Sequence, residues 1–196
     1  MKRLLGGAFT GVLSSDFYHA YNSYPGKHQR CWVHLLRVLH ALKQQHAQEP
    51  EVVAWAQAVR VLYAEAQAAR HASTCPSPAA RDKLYAELVE RACRLGQQYA
   101  RQAAHPCRAL AQRLLRHQDA LFQFVLLDGL SANNNLAERS LRPLVVMRKI
   151  SGGTRSPQGS QTRMALASLF GTWQARGLNP FEECLKLLGH IPLPQI

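Results

Sequence analysis

The chain has 196 residues, 47% of them hydrophobic, and a formal net charge of +12. This apolar content excludes global disorder, and no apolar run reaches the roughly 18 residues that a membrane span needs. The excess of Lys and Arg indicates a polyanionic partner, either nucleic acid or a membrane surface.

The N-terminal part of the chain predicts two short strands followed by a helix. The apolar run at residues 8–15 ends at Asp16 and is typical of a buried strand. The opening of the chain, with Lys2 and Arg3 before a short apolar run, also resembles a signal peptide, but a clear cleavage site is missing. A second strand is predicted at residues 29–35, and leucines at helical spacing follow from Leu35.

After the helix that starts at Leu35, the middle of the chain predicts only helices: a second at residues 50–71, a third at about 79–103 and a fourth at about 107–125. A Pro-rich break and a His-Pro pair separate them. We therefore expect a mostly α protein with a small β component, an α+β fold. Its predicted segments are residues 1–49 with the strands and first helix, an all-helical insertion at 50–125, and C-terminal helices with a basic loop at 126–196.

The positive charge is concentrated in two segments. Residues 1–40 hold five Lys or Arg and one acid, a net charge of +4. Residues 131–165 hold six Lys or Arg and one acid, a net charge of +5, so these two segments carry nine of the twelve net charges. The single acids are Asp16 and Glu138. A carboxylate among bases is what a phosphate-handling metal site needs, because the carboxylate holds the cation and the bases hold the backbone.

Each of these acids also has a structural interpretation. Asn135 is a good N-cap, which places Glu138 at the third helical position in the form of a capping box. On that helix, Glu138, Arg142 and Lys149 share nearly one azimuth. Asp16, directly after a strand, is either a turn former or a metal ligand at the carboxyl end of the strand.

The cysteines indicate a reducing compartment. There are five, an odd number, with irregular spacing and no Cys-x-x-Cys motif. Cys31 and His34 form one Cys-x-x-His pair, which needs a second pair to complete a tetrahedral zinc site. Ser156 is interpreted as a helix or turn cap rather than a nucleophile.

Several segments together resemble one family, the transposases of bacterial insertion sequences, family sixty-six. The asparagine–glutamate–arginine–arginine–proline pattern followed by RKISGGTRS is the most specific part of the match. The segments are GVLSSDFYHAY (11–21), RCWVHLLR (30–37), NNNLAERSLRPLVVMRKISGGTRSPQGS (133–160) and GTWQARGLNPFEECLKLL (171–188).

The resemblance implies a ribonuclease-H-like core, interrupted by the helical insertion, with an Asp-Asp-Glu triad and two Mg²⁺ or Mn²⁺ ions. Asp16 would be the second aspartate and Glu138 the glutamate, both as catalytic and metal-binding residues. The implied partners are the transposon ends and the target DNA, in the bacterial cytoplasm or on the nucleoid. The implied DNA-binding residues are Arg139, Arg142, Arg148, Lys149 and Arg155.

The chain departs from the family pattern at the first aspartate, since none of the fifteen residues before Asp16 is Asp or Glu. We therefore expect an N-terminally truncated transposase that binds metal weakly and does not catalyse alone. The alternative is a non-catalytic DNA-binding remnant. An exposed edge of the strand at 8–15 predicts self-association, and mixing with full-length transposase is a further expectation.

Overall fold

The structure, a computed structural model, describes residues 9–71 and 77–189. The chain divides into two compact units, residues 1–134 and 135–196. The described part of the first unit contains two strands, a short 3-10 helix at His19–Ser23 and five α-helices. In chain order these are β1 Leu13–Ser15, β2 His28–Arg30, α1 Trp32–Gln45, α2 Pro50–His71, α3 Pro78–Tyr99, α4 Arg108–Leu121 and α5 Gln123–Leu126.

The two strands pair in parallel, with Leu13 opposite His28 and Ser15 opposite Arg30. The pairing continues one residue beyond the strands, where the Cys31 N–H donates to the Ser15 carbonyl at 2.9 Å. Parallel pairing places the carboxyl ends of both strands at the same edge of the sheet. The residues that follow β1, beginning with Asp16, therefore lie beside the end of β2.

The predicted second strand at 29–35 is wrong beyond Arg30, because helix α1 begins at Trp32. Trp32, Leu35 and Leu39 are buried at helical spacing, so the apolar residues of this segment serve a helix face. The Trp32 indole N–H donates to the Leu121 carbonyl at 2.6 Å, and the ring packs near Phe122. Tertiary contacts with distant residues thus determine where the helix begins.

The helices of the first unit pack into one hydrophobic core. A helix at residues 50–71 is confirmed, whereas the third helix ends at Tyr99 and the fourth is divided into α4 and α5. The largest fully buried apolar side chains are Trp32, Phe122, Phe124, Leu35, Leu62, Leu88, Leu114, Leu121, Val52 and Val59. Burying side chains of this size contributes about 1.5–3 kcal/mol each, so this core accounts for the compactness of the unit.

Helices α3 and α4 approach closely at Gly96. A Cβ atom at this position would lie 2.6 Å from Leu115 Cγ and 2.9 Å from the Ala111 carbonyl oxygen. Only glycine allows the two helices this separation without a shift of backbone or side chains. The close contact fixes α4, which also packs against β2.

A buried glutamine joins the sheet to the helices. Gln29 on β2 is fully buried, and its Nε2 donates to the carbonyls of Arg30 at 2.8 Å and Leu121 at 3.1 Å. Its Oε1 accepts a hydrogen bond from the Phe124 N–H at 2.9 Å. One side chain therefore satisfies three backbone groups, two of them more than ninety residues away in sequence.

The second unit consists of three helices, α6 Asn135–Ser151, α7 Pro157–Ala175 and α8 Pro180–Gly189, in its described residues. No residue from 135 to 189 is buried. On α6, Leu141 and Val145 are exposed and Leu144 is half-buried. Arg163 on α7 donates to Ser151 Oγ at the end of α6, with 3.2 Å between the two atoms.

Helix starts in the second unit follow local capping signals. Ser156 Oγ accepts a hydrogen bond from the Gly159 N–H at 3.0 Å, which confirms Ser156 as a cap. Asn179 Oδ1 likewise accepts from the Phe181 N–H at 3.0 Å, with Pro180 at the first helical position. Across residues 9–71 and 77–189, no helix is long and apolar enough to cross a membrane.

Candidate functional site

Asp16 lies at the carboxyl end of β1 and is half-buried. Its Oδ1 accepts a hydrogen bond from the Tyr18 N–H at 2.9 Å, which is the turn-forming role that its position predicts. This contact uses one carboxylate oxygen. Turn formation and ligand binding are therefore compatible in this residue.

Arg30, from the neighbouring strand, fixes the backbone around Asp16. Its Nη1 donates to Ser15 Oγ at 2.9 Å and to the Asp16 carbonyl at 2.7 Å, and its Nη2 donates to Asn22 Oδ1. Only 2% of Arg30 is exposed. Burial lowers the pKa of the guanidinium, and the Asp16 carboxylate opposes that shift. No motif or spacing in the sequence marks Arg30 as part of this site.

Two residues of helix α4, Arg113 and His117, pack against Phe17 beside the same strand end; we call these two residues the α4 group. The Phe17 and His117 ring centroids are 5.3 Å apart, and the Arg113 guanidinium carbon lies 5.0 Å from the Phe17 ring centroid. Burial, then the positive charges of Arg30 and other bases, lowers the pKa of His117 to about 4. The imidazole is therefore neutral near pH 7.

The Cys31–His34 pair does not extend into a larger metal-ligand group. Cys31 is buried, has no disulfide, and its Sγ accepts from the Asn134 N–H at 3.5 Å. Over residues 9–71 and 77–189, no three His, Cys, Asp or Glu side chains form a group that could hold a metal ion. Cys75 lies outside the described residues.

Helix α6 carries the predicted basic residues of the second unit. Glu138 is in the first turn of this helix and is exposed. Glu138, Arg142 and Lys149 fall within about 40° of one another around the helix axis, given 3.6 residues per turn. Arg139, Arg142, Arg148 and Lys149 are all exposed, as is Arg155 in the following loop.

The loop after α6 is shaped by glycines in the left-handed region. Gly152 has φ of 69° and Gly153 has φ of 98°, which end the helix at Ser151. The chain then enters α7 through the Ser156 cap. Arg155 lies in the loop between these two helices and is exposed.

A family model described as "Transposase IS66 family" matches residues 1–162. The chain belongs to the IS66 transposase family. The match includes both predicted acids and the basic residues of α6 and the following loop. It confirms the resemblance that these segments carry, while the roles of the individual residues remain predictions.

A similar protein is the uncharacterized protein y4jO of Sinorhizobium fredii (strain NBRC 101917 / NGR234), with 30% identity over 155 residues. The alignment covers 79% of the IS66-family chain described here and 46% of y4jO. The chain thus spans about half the length of this relative. No solved structure matches the chain.

Asp16 and Glu138 lie in different compact units, Asp16 in the first and Glu138 in the second. The basic residues that sequence reasoning selected are grouped on α6 and the loop after it. Those that it missed, Arg30 and the α4 group, come from segments far apart in sequence. No local spacing signals such a group, although the arginines of α4 add to the high net charge.

Proposed function

We propose that this chain is a DNA-binding part of an insertion-sequence transposase, with a partial ribonuclease-H-like core in its first unit. Asp16 and Glu138 are two acids of its catalytic triad, and the α6 cations bind the DNA backbone. The single observation that carries the proposal is the family match, which spans both acids and the basic segment between Arg139 and Arg155.

The exposure of the α6 cations supports DNA binding. Arg139, Arg142, Arg148 and Lys149 extend along one 17-residue helix, with Arg155 just beyond it. Arg139 and Lys149 are ten positions apart, so these cations extend over about 15 Å of the helix, which covers several successive phosphates of a DNA strand. Exposed guanidinium and ammonium groups bind phosphates without a prior loss of internal contacts.

The residues present fit a divalent cation in kind but not in number. Carboxylate oxygens are suitable ligands for Mg²⁺. One oxygen of Asp16 accepts from the Tyr18 N–H, which leaves the other oxygen for a cation. No group of three ligands occurs in the described residues. Since a two-metal site stabilises both the attacking and the leaving oxygens, two acids are too few, and we assign no catalytic step to a metal in this chain.

Neutralising the shared face of α6 is expected to weaken DNA binding. For the double variant Arg142→Ala/Lys149→Ala, we expect about tenfold weaker binding to a fluorescent duplex at moderate salt. The slope of log K against log salt, which is negative, should become shallower by about 2, because two phosphate contacts are lost. Fluorescence anisotropy at several salt concentrations measures both quantities.

The matched control for this experiment is Arg176→Ala/Lys186→Ala. It removes the same charge from exposed positions of the same unit, outside the basic segment. A purely non-specific effect of net charge would weaken both double variants equally. That result would contradict binding through α6.

Weak metal binding by the two acids distinguishes the transposase proposal from a non-catalytic DNA-binding remnant. We expect weak Mn²⁺ binding by the wild type and a further loss in Asp16→Asn and in Glu138→Gln, because each removes a carboxylate ligand. Electron paramagnetic resonance of free Mn²⁺ measures the bound fraction. Glu182→Gln, an exposed acid in the first turn of α8, is the control. Equal binding by all four proteins would favour the remnant.

Self-association, and mixing with full-length transposase, are part of the proposal. Both strands of the described two-stranded sheet have one unpaired edge. Large apolar side chains are also exposed on α6 to α8, among them Leu136, Ile150 and Phe181. Together these features favour contacts with further polypeptide.

A further inference from the structure

Helix α4 lies directly beside the strand end that carries Asp16. Phe17, the residue after Asp16, packs with its ring centroid 5.3 Å from that of His117. Arg113, one turn earlier on α4, places its guanidinium carbon 5.0 Å from the Phe17 ring centroid. The segment predicted to be a helical insertion therefore forms one wall of the candidate site.

Positive charge is concentrated at this wall. Burial, and after it the charges of Arg30, Arg116, Arg113 and His28, lowers the pKa of His117 to about 4. Arg30 is buried and uses its Nη atoms on neutral oxygens of Ser15, Asp16 and Asn22. Arg30, which donates to the Asp16 carbonyl, and Arg113, which stacks on Phe17, thus both lie at the strand end that carries Asp16.

Two of these guanidinium groups are available to a ligand. Arg116 is exposed and Arg113 is half-buried. Neither forms a salt bridge with any residue that the structure describes. Arg113 and Arg116 are three positions apart on a helix, so they are neighbours on its surface. Stacking on Phe17 restricts Arg113, which lowers the entropy lost when it binds a ligand.

We propose that Arg113 and Arg116 form a second phosphate-binding site, which holds the DNA backbone beside Asp16. A guanidinium group matches the phosphate oxygens with two parallel hydrogen bonds, and paired arginines favour a doubly contacted phosphodiester. The site rests on the proposed function, since it takes the same DNA that α6 binds. It assigns a DNA contact to the helical segment at 50–125.

The double variant Arg113→Gln/Arg116→Gln tests this site by fluorescence anisotropy with a labelled duplex. We expect binding about tenfold weaker at moderate salt, and a slope of log K against log salt that is shallower by about 2. The matched control is Arg101→Gln/Arg108→Gln, which removes the same charge at exposed positions of the same unit. Arg108 starts α4 and lies about 12 Å along the helix from Arg116, given a rise of 1.5 Å per residue.

Two further variants separate binding from folding. Arg113→Lys/Arg116→Lys keeps the charge but loses the bidentate hydrogen bonds of the guanidinium groups. Its affinity for the duplex should therefore lie between those of the wild type and the Gln double variant. Arg116→Gln alone changes an exposed side chain. This single variant should fold even where the double variant does not. It should make the slope of log K against log salt shallower by about 1.

The outcomes distinguish this site from the proposed function. Suppose that Arg113→Gln/Arg116→Gln binds the duplex as well as its control variant, while Arg142→Ala/Lys149→Ala binds it weakly. The α4 site is then wrong and the proposed function stands. If the wild type fails to bind duplex DNA, both are wrong. Selective loss in the α4 variants, with the control unchanged, supports the site.

Discussion

Replacing Gln29 with leucine is expected to lower the free energy of unfolding of the first unit by about 3 kcal/mol. Leucine has a similar size but cannot hydrogen-bond. The substitution leaves the Phe124 N–H and the Arg30 carbonyl without the partner that Gln29 gives them. The Leu121 carbonyl retains the Trp32 indole N–H. Each buried group without a partner costs about 1–3 kcal/mol, which sets the expected size.

Urea unfolding followed by tryptophan fluorescence measures this effect. A Trp173→Phe background confines the signal to Trp32 and Trp55, both buried in the first unit. The control is Gln44→Leu, since Gln44 is an exposed glutamine on α1 and should change stability by less than about 0.5 kcal/mol. If Gln29→Leu shifts unfolding no more than Gln44→Leu, the buried network does not stabilise the unit.

Acidification is expected to destabilise the first unit through His117. In the folded protein, burial and the nearby arginines lower the pKa of His117 from 6.5 to about 4. Between these two values the unfolded chain binds a proton that the folded chain does not. Stability therefore falls as the pH drops below 6.5, and the loss levels off near pH 4. At pH 5 this single group should cost about 2 kcal/mol relative to pH 7.

The variant His117→Gln isolates this contribution. It cannot take up the proton, so its loss of stability between pH 7 and pH 5 should be smaller than that of the wild type by about 2 kcal/mol. His40→Gln, at an exposed position of α1, should retain the wild-type dependence on pH. If His117→Gln lost as much stability between pH 7 and pH 5 as the wild type does, the neutral His117 imidazole would not be the source of the pH dependence.

Sequence reasoning predicted those features that depend on neighbouring residues. The cap at Ser156 is confirmed because a capping side chain bonds to the N–H two or three residues later. The helix at residues 50–71 is confirmed because its apolar residues recur with the helical period. The resemblance to the family, which the family match confirms, is most specific in the continuous segment around Glu138.

The features that sequence reasoning missed depend on contacts between distant residues. The segment from Cys31 to Leu35 is a short apolar run, which fits a strand and a helix equally well. The Leu121 carbonyl, which accepts the Trp32 indole N–H, helps to fix the helix. Likewise, Arg30 and His117 meet beside Asp16 although α4 is about a hundred residues further along the chain. No spacing in the sequence signals such a meeting.

The salt dependence of DNA binding by the wild-type chain tests the central claim most directly. The claim is that this member of the IS66 transposase family binds the DNA backbone through clustered cations. Five cations on α6 and the following loop, at about 0.9 per phosphate contact, predict a slope of roughly −4.5 for log K against log salt between 50 and 200 mM, and the two proposed contacts of α4 bring it to roughly −6. A slope near zero, or no binding at the low-salt end, would contradict the account.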